Sequence, residues 1–348
     1  MGVLEEREFG KTGEGEKAHL YTITNSRGME IAVTDYGAAL VTLKVPDKNG
    51  TSLDVVLGYD DAAGYASADT YFGATVGRNA NRIGKASFEI NGTHYTLNKN
   101  DNGNNLHSGT KYYNKRIWQV EEEQKNRITF SLHSPDGDQG YPGALTMKVA
   151  YELTEDNVVR INYHAVPDQD TIINMTNHSY FNLNGHDKGS ILKHQMKIDA
   201  DYFTRADQES IPTGELVDVT GTPMDFRTPK EIGAEIDADY EATCFGQGYD
   251  HNWVLKNAGK FAKVAEAVGD TSGIVMEVWT DLPGVQVYTG NFLQQERGKN
   301  GAVYEKRAAV CFETQYFPDA IHHENFVSPV CRAGSNYETV TEYRFYTQ

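Results

Sequence analysis

Apolar and polar positions alternate along nearly the whole chain, and Gly, Asn, Asp or Pro interrupts the alternation every few residues. A period of two is what a strand produces, because successive side chains point to opposite faces, so the pattern predicts a β protein. Residues 87–97, SFEINGTHYTL, read as a hairpin around Asn91-Gly92, since that dipeptide suits the left-handed backbone of a two-residue turn. Strands then follow in close succession at 117–122, 127–133, 145–153, 157–166 and 170–183, and again at 274–280, 285–293, 308–317 and 339–347. Helical periodicity is scarce, with KEIGAEID (230–237) the best candidate. Longer stretches without alternation, 98–115, 134–144 and 211–249, are expected to be loops that cover or rim a site.

No linker or composition break divides the 348 residues, and no repeat of fixed period appears. The expectation is an all-β, antiparallel architecture of roughly two dozen short strands, forming a single domain over residues 1–348. A smaller sandwich with an appended module is the alternative.

Charge narrows the partners. The net charge of −17 is dispersed, and it repels both phosphate backbones and anionic lipid, so neither nucleic acid nor membrane is expected as a partner. Three cysteines, none in a C-x-x-C pair, make neither a disulfide framework nor a structural zinc site. The N-terminus has no apolar signal-like run. Of three glycosylation sequons, at Asn91, Asn174 and Asn177, two crowd the most chemically interesting segment. A cytoplasmic protein, monomeric or weakly dimeric, is the expectation.

That segment is residues 172–183, IINMTNHSYFNL. As one strand it puts Ile173, Met175, Phe181 and Leu183 on one face, and Asn174, Thr176, His178, Tyr180 and Asn182 on the other. An exposed strand decorated with amides would look the same, but His178 between hydrogen-bonding neighbours also suits a polar binding wall with a proton-transfer group at its centre. Glu313, in the apolar run AAVCFETQYF, is either a satisfied core carboxylate or one placed for chemistry. GRNANRIG (77–84) gathers two guanidiniums and two amides, suited to hydroxyl oxygens, without the spacing of a phosphate loop. NNLHSG with His107, GYDHNW with Asp250, and the pair Gln286 and Tyr288 add polar groups next to turns. No H-x-H or H-E-x-x-H motif, hydrolase elbow or dinucleotide fingerprint occurs, which leaves acid–base chemistry without a cofactor or metal.

Together GRNANRIG, NNLHSG, SPDGDQGYPG (134–143), TNHSYFNL (176–183), GYDHNWVL (248–255), PGVQVYTGNF (283–292) and CFETQYFPDA (311–320) resemble, in order, the motifs of the aldose 1-epimerases, or galactose mutarotases. Asn79 stands where that family's pattern usually has an apolar residue. The resemblance implies a β supersandwich that interconverts the anomers of a free hexose such as galactose or glucose. It further implies His178 as general acid and Glu313 as general base, with Asn81, Arg82, His107, Asp250 and Gln286 on the sugar and Tyr180 nearby. A hexose-6-phosphate epimerase of the same fold and a non-catalytic sugar binder are the alternatives, and for the former Arg78 and Arg82 are the available cations. With Glu313 ionised and His178 protonated, the acid limb of the pH profile is expected to report the carboxylate and the alkaline limb the imidazolium. Ionised Glu313 is expected to raise the His178 pKa.

Overall fold

In a computed structural model, which describes residues 3–110, 112–257 and 259–348, thirty strands alternate with short turns. Residues 3–54 form a five-stranded meander with strands at Val3–Lys11, Lys17–Thr24, Glu30–Thr34, Ala39–Pro46 and Ser52–Asp54. A nine-stranded antiparallel sheet runs in the order Gln119–Gln124, Arg127–Ser134, Leu145–Leu153, Val158–Pro167, Tyr337–Thr347, Ile274–Thr280, Ala262–Val268, Gln195–Ile198, Lys230–Glu231. A six-stranded sheet runs Tyr180–Phe181, Val310–Gln315, Gly284–Tyr288, Asp250–Leu255, Ala200–Ala206, Pro212–Asp218.

Apolar faces created by the alternation decide how these sheets pack. Ile128, Phe130, Met147, Val149, Ile161, Met276 and Tyr343 from the large sheet meet Trp253, Val285, Val287, Val310 and Phe312 from the six-stranded one in a single buried core. Ile31, Val33 and Leu43 of the N-terminal meander join the same core. The Tyr343 hydroxyl crosses this layer to donate to the Phe312 carbonyl at 3.0 Å, so its polar tip is satisfied where water is excluded. The six-stranded sheet thus spends one face on the core. Its other face is free to carry polar groups.

The Asn91-Gly92 hairpin forms as expected, with φ of 53° and 78° at its two turn residues. KEIGAEID does not form a helix. Lys230–Glu231 pairs as an edge strand, and Ile232–Ala234 makes a single 3₁₀ turn. The α-helices lie instead at Ala62–Ser67, capped by the Asp61 carboxylate accepting from the Gly64 amide, and at Glu241–Gly246 inside the expected loop 211–249. Among the described residues no helix is long and apolar enough to cross a membrane.

Candidate active site

Residues 172–183 do not run as one strand. Thr171–Ile172 pairs with Val330–Cys331, Thr176–His178 with Ala74–Val76, and Tyr180–Phe181 with the strand Val310–Gln315. The break falls at Ser179, where the Asn177 side-chain oxygen accepts from both the Ser179 amide and hydroxyl and so replaces the ladder locally. The polar face is also not a single binding wall. Asn174 exchanges hydrogen bonds with the Tyr316 backbone, Thr176 donates to the Thr314 carbonyl, and Asn182 donates to the carbonyls of Gly189 and Ala308. These three side chains are buried struts that hold neighbouring loops and strands in place. His178 and Tyr180 are the members of that face that line a pocket.

Register explains which other groups arrive there. In the six-stranded sheet, Tyr180 pairs with Cys311, Cys311 with Tyr288, Glu313 with Gln286, Tyr288 with Asp250, and Gln286 with Asn252. Directly paired residues share a face, so Tyr180, Cys311, Glu313, Gln286, Tyr288 and Asp250 all project from the side away from the core. Asn81, Arg82, His107 and Leu106 come from the loops opposite, tied together by a two-stranded pairing of Arg82–Ile83 with Asn105–Leu106. The result is a pocket of about 200 Å³ lined by Asp69, Tyr71, Asn81, Arg82, Leu106, His107, His178, Tyr180, Asp250, Tyr288, Phe292 and Glu313. His178, Glu313, Asn81, Arg82, His107, Tyr180 and Asp250, all expected from the sequence, therefore line one pocket. Gln286, paired with Glu313 on the same face, does not line the pocket but donates from Nε2 to Asp250 at 2.7 Å.

At the floor, His178 Nε2 lies 3.5 Å from Glu313 Oε1, both side chains almost wholly buried, and His178 Nδ1 lies 3.6 Å from Cys311 Sγ. Burial disfavours either charge. It takes the His178 pKa down to about 4 and, helped by Asp250, holds Glu313 well above the usual carboxylate range, with Arg82 pulling the other way. Desolvation therefore outweighs the expected lift of His178 by Glu313. Glu313 Oε2 and Gln286 Oε1 are buried with no hydrogen-bond partner in the protein, acceptors suited to hydroxyl protons of a ligand. Arg82 spends Nε on Asp101 at 2.7 Å. Phe292, half exposed, stacks on Tyr288 at the mouth.

Sequence motifs did not foreshadow a metal-type cluster, yet His107, His178 and Glu313 bring ligand atoms within 4.8 Å of one another. They come from three separate segments, so no local spacing could reveal them. The chemistry of His107 argues against ligation. Its Nδ1 accepts the Asn81 amide at 3.1 Å, and burial keeps the ring neutral, so the proton sits on Nε2 and the pocket meets a donor rather than a lone pair.

Arg78 is not part of the pocket. It is fully buried and donates to the Ser134 hydroxyl and to the carbonyls of Ser134, Pro135 and Pro142, which pins the loop 134–144. Asp69 and Tyr71 line the site outside every motif, and Phe292, at the end of PGVQVYTGNF, lines it without having been singled out. Lone side chains in turns carry no periodic signal.

An aldose 1-epimerase family model matches residues 19–344. The chain belongs to the aldose 1-epimerase family. Among relatives, a galactose mutarotase of Bos taurus is 41% identical over 318 residues, 91% of each chain. An aldose 1-epimerase of Haemophilus influenzae is 38% identical over 99% of this chain and 100% of its own. The crystal structure of an aldose epimerase homologue from C. elegans superposes with a TM-score of 0.87 at 29% identity, covering 94% of this chain and 98% of that one. The aldose 1-epimerase fold is thus the arrangement of sheets described above.

Arg82, from the loop side, and Asp250, from the sheet, both line the pocket, and the Arg82 charge acts on the buried Asp250 carboxyl. Arg82→Ala and Asp250→Asn are each expected to raise KM and lower kcat together, by about tenfold in kcat/KM or more. Unchanged kcat/KM in both would make these residues structural.

Proposed function

We propose that this chain is a mutarotase that interconverts the α and β anomers of free hexoses such as galactose and glucose. The observation that carries the reading is the approach of His178 Nε2 to Glu313 Oε1, 3.5 Å apart at the floor of a small polar pocket. Anomerisation needs one group to take the C1 hydroxyl proton while another protonates the ring oxygen. The C1–ring oxygen bond breaks, the aldehyde rotates about C1–C2, and the ring recloses on the other face with the protons returned. In this proposal His178 is the acid and Glu313 the base. Asn81, Arg82, His107, Asp250 and Gln286 hold hydroxyls, and Tyr180 packs beside the imidazole. One positioned acid and one base each supply about 10²–10⁴-fold, roughly 3–5 kcal/mol apiece.

A phosphorylated hexose fits less well. Arg82 is the guanidinium lining the pocket, already paired with Asp101, while Asp69, Asp250 and Glu313 surround it with acid. The relatives' names make galactose the first sugar to assay, with the cytoplasm and a monomer or weak dimer as the proposed setting.

Polarimetry on freshly dissolved α-galactose and α-glucose tests the proposal. A relaxation to the equilibrium rotation that accelerates in proportion to protein supports it. Binding without acceleration would make the chain a sugar-binding protein. The rate should survive exhaustive EDTA dialysis, because His107 presents N–H to the pocket, and loss restored by one specific ion would overturn the metal-free reading.

A further inference from the structure

His178 is flanked by two aromatic rings lying nearly parallel to it. The Tyr180 ring lies at 5.1 Å and 16°, and the Tyr71 ring at 5.8 Å and 18°. Tyr180 is fixed by the sheet. Tyr71 is in a turn, and the turn is bolted to the backbone of His178 itself. The Gly73 amide donates to the His178 carbonyl at 3.0 Å, while the Gly73 carbonyl accepts from Asn177 Nδ2 at 2.9 Å and from the Leu40 amide at 2.8 Å. Gly73 has φ of 65°, and a Cβ there would lie 1.9 Å from the Leu40 carbonyl oxygen, so this close approach requires glycine.

Tyr71 itself has φ of 59°, a region that bulky residues rarely occupy and that persists when the surroundings over-determine it. Its ring also meets His107 at 4.7 Å and stands edge-on to Tyr112 at 5.6 Å. Its hydroxyl is hydrogen-bonded to Tyr112. The phenol oxygen is thus engaged away from His178, and what His178 meets is the flat face of the ring.

We propose that Tyr71 is a positioning residue whose ring, together with Tyr180, clamps the His178 imidazole so that Nε2 stays aimed at the reacting oxygens and at Glu313. The inference rests on the reading of His178 as a proton carrier. A clamp of this kind changes how often the imidazole is correctly placed, not how tightly sugar is held, so its signature is in kcat. An aromatic face also favours the transient imidazolium.

The test compares Tyr71→Gly, which removes the ring and relieves the left-handed backbone, with Tyr71→Phe, which keeps the ring. Polarimetry with galactose gives kcat and KM. The His178 titration is read by NMR of a selectively labelled imidazole, with Glu313, Cys311, His107, Tyr180 and Tyr288 still facing that ring. In Tyr71→Gly, kcat should fall by about tenfold or more, KM should move by less than about threefold, and the His178 midpoint should rise as water reaches the ring. Tyr71→Phe should stay within about threefold of wild type in kcat. If Tyr71→Gly does not fold, Tyr71→Asn serves, because Asn tolerates the same φ.

The inference is overturned if Tyr71→Gly retains kcat and an unmoved His178 midpoint. It is also overturned if Tyr71→Phe falls as far as Tyr71→Gly, which would put the hydroxyl on the sugar, or if the loss is confined to KM. His178→Asn run alongside separates the two levels. Full activity there sinks the proton-carrier reading and this inference with it, whereas loss there with none in Tyr71→Gly sinks the inference alone.

Discussion

Glu313→Gln and His178→Asn should each lower kcat by at least about 100-fold, about 3 kcal/mol of transition-state stabilisation, in a protein that remains folded. Each substitution removes one proton carrier while keeping a hydrogen-bonding group of similar size. The expected effect on stability makes the result diagnostic. Glu313 has a folded pKa raised by burial, so its contribution to stability is present below the unfolded carboxylate value of about 4.3 and lost as pH rises through the folded value. Above the unfolded carboxylate value the wild type therefore bears the cost of burying that carboxyl, and Glu313→Gln relieves it. Melting at or above the wild-type Tm, combined with the loss of kcat, would mark a residue retained for chemistry rather than for folding. Near-wild-type anomerisation by either variant would place the proton carriers elsewhere.

The second large effect concerns pH. Unperturbed Glu and His, titrating near about 4.3 and 6.5, would confine activity to a narrow band. The buried pair reverses this order. His178 takes up an extra proton at about 4, and Glu313 gives up its proton well above the carboxylate range, so over the interval between them the pair holds one proton. One shared proton is what the reaction needs, because moving it from Glu313 to His178 creates the acid and the base together without change of net charge. kcat/KM should therefore fall about tenfold per unit below about pH 4, hold level above it, and fall again only where Glu313 ionises, well above the usual carboxylate range. The acid limb belongs to His178 and the alkaline limb to Glu313, the opposite of the assignment unperturbed groups would give. Residual activity of His178→Asn should lack the acid limb, and that of Glu313→Gln the alkaline one. A wild-type bell with an alkaline fall near 6.5 would show that burial does not control the pair.

How much of this could be read from the letters depends on how local the signal is. Strands such as Leu145–Leu153 were legible because one more deeply buried face imposes a period close to two, whereas Val310–Gln315 is buried on both faces and showed as an apolar run. The turn at Asn91-Gly92 was legible because its backbone demands those residues. Glu313 stood out as an ionisable group in an apolar run, and His178 as one among hydrogen-bonding neighbours on a single strand face. The break at Ser179 was not legible, since Asn177 satisfies its amide with a side-chain bond that alternation does not encode. Arg78 and Arg82 look alike in sequence, yet one is a buried strut for loop 134–144 and the other lines the pocket, a difference set by partners far along the chain. Tyr71 acts through neighbours in two other segments and has no pattern of its own.

The buried side chains of Asn174 and Asn177 bear on how the protein can be produced. Both are acceptor positions for N-linked glycans, yet Asn174 Nδ2 donates to the Tyr316 carbonyl and Asn177 Nδ2 donates to the Gly73 carbonyl and the Tyr151 hydroxyl, all inside the fold. A host that exports the chain through a glycosylating pathway would modify these nitrogens during synthesis, before the strands close over them. A glycan on either would remove the hydrogen bonds and leave no room for the sheet to pair with Ala74–Val76 or with the backbone at Tyr316. Secretory expression should therefore yield misfolded material unless both sequons are silenced at Thr176 and Ser179, whereas the exposed turn at Asn91 tolerates a glycan.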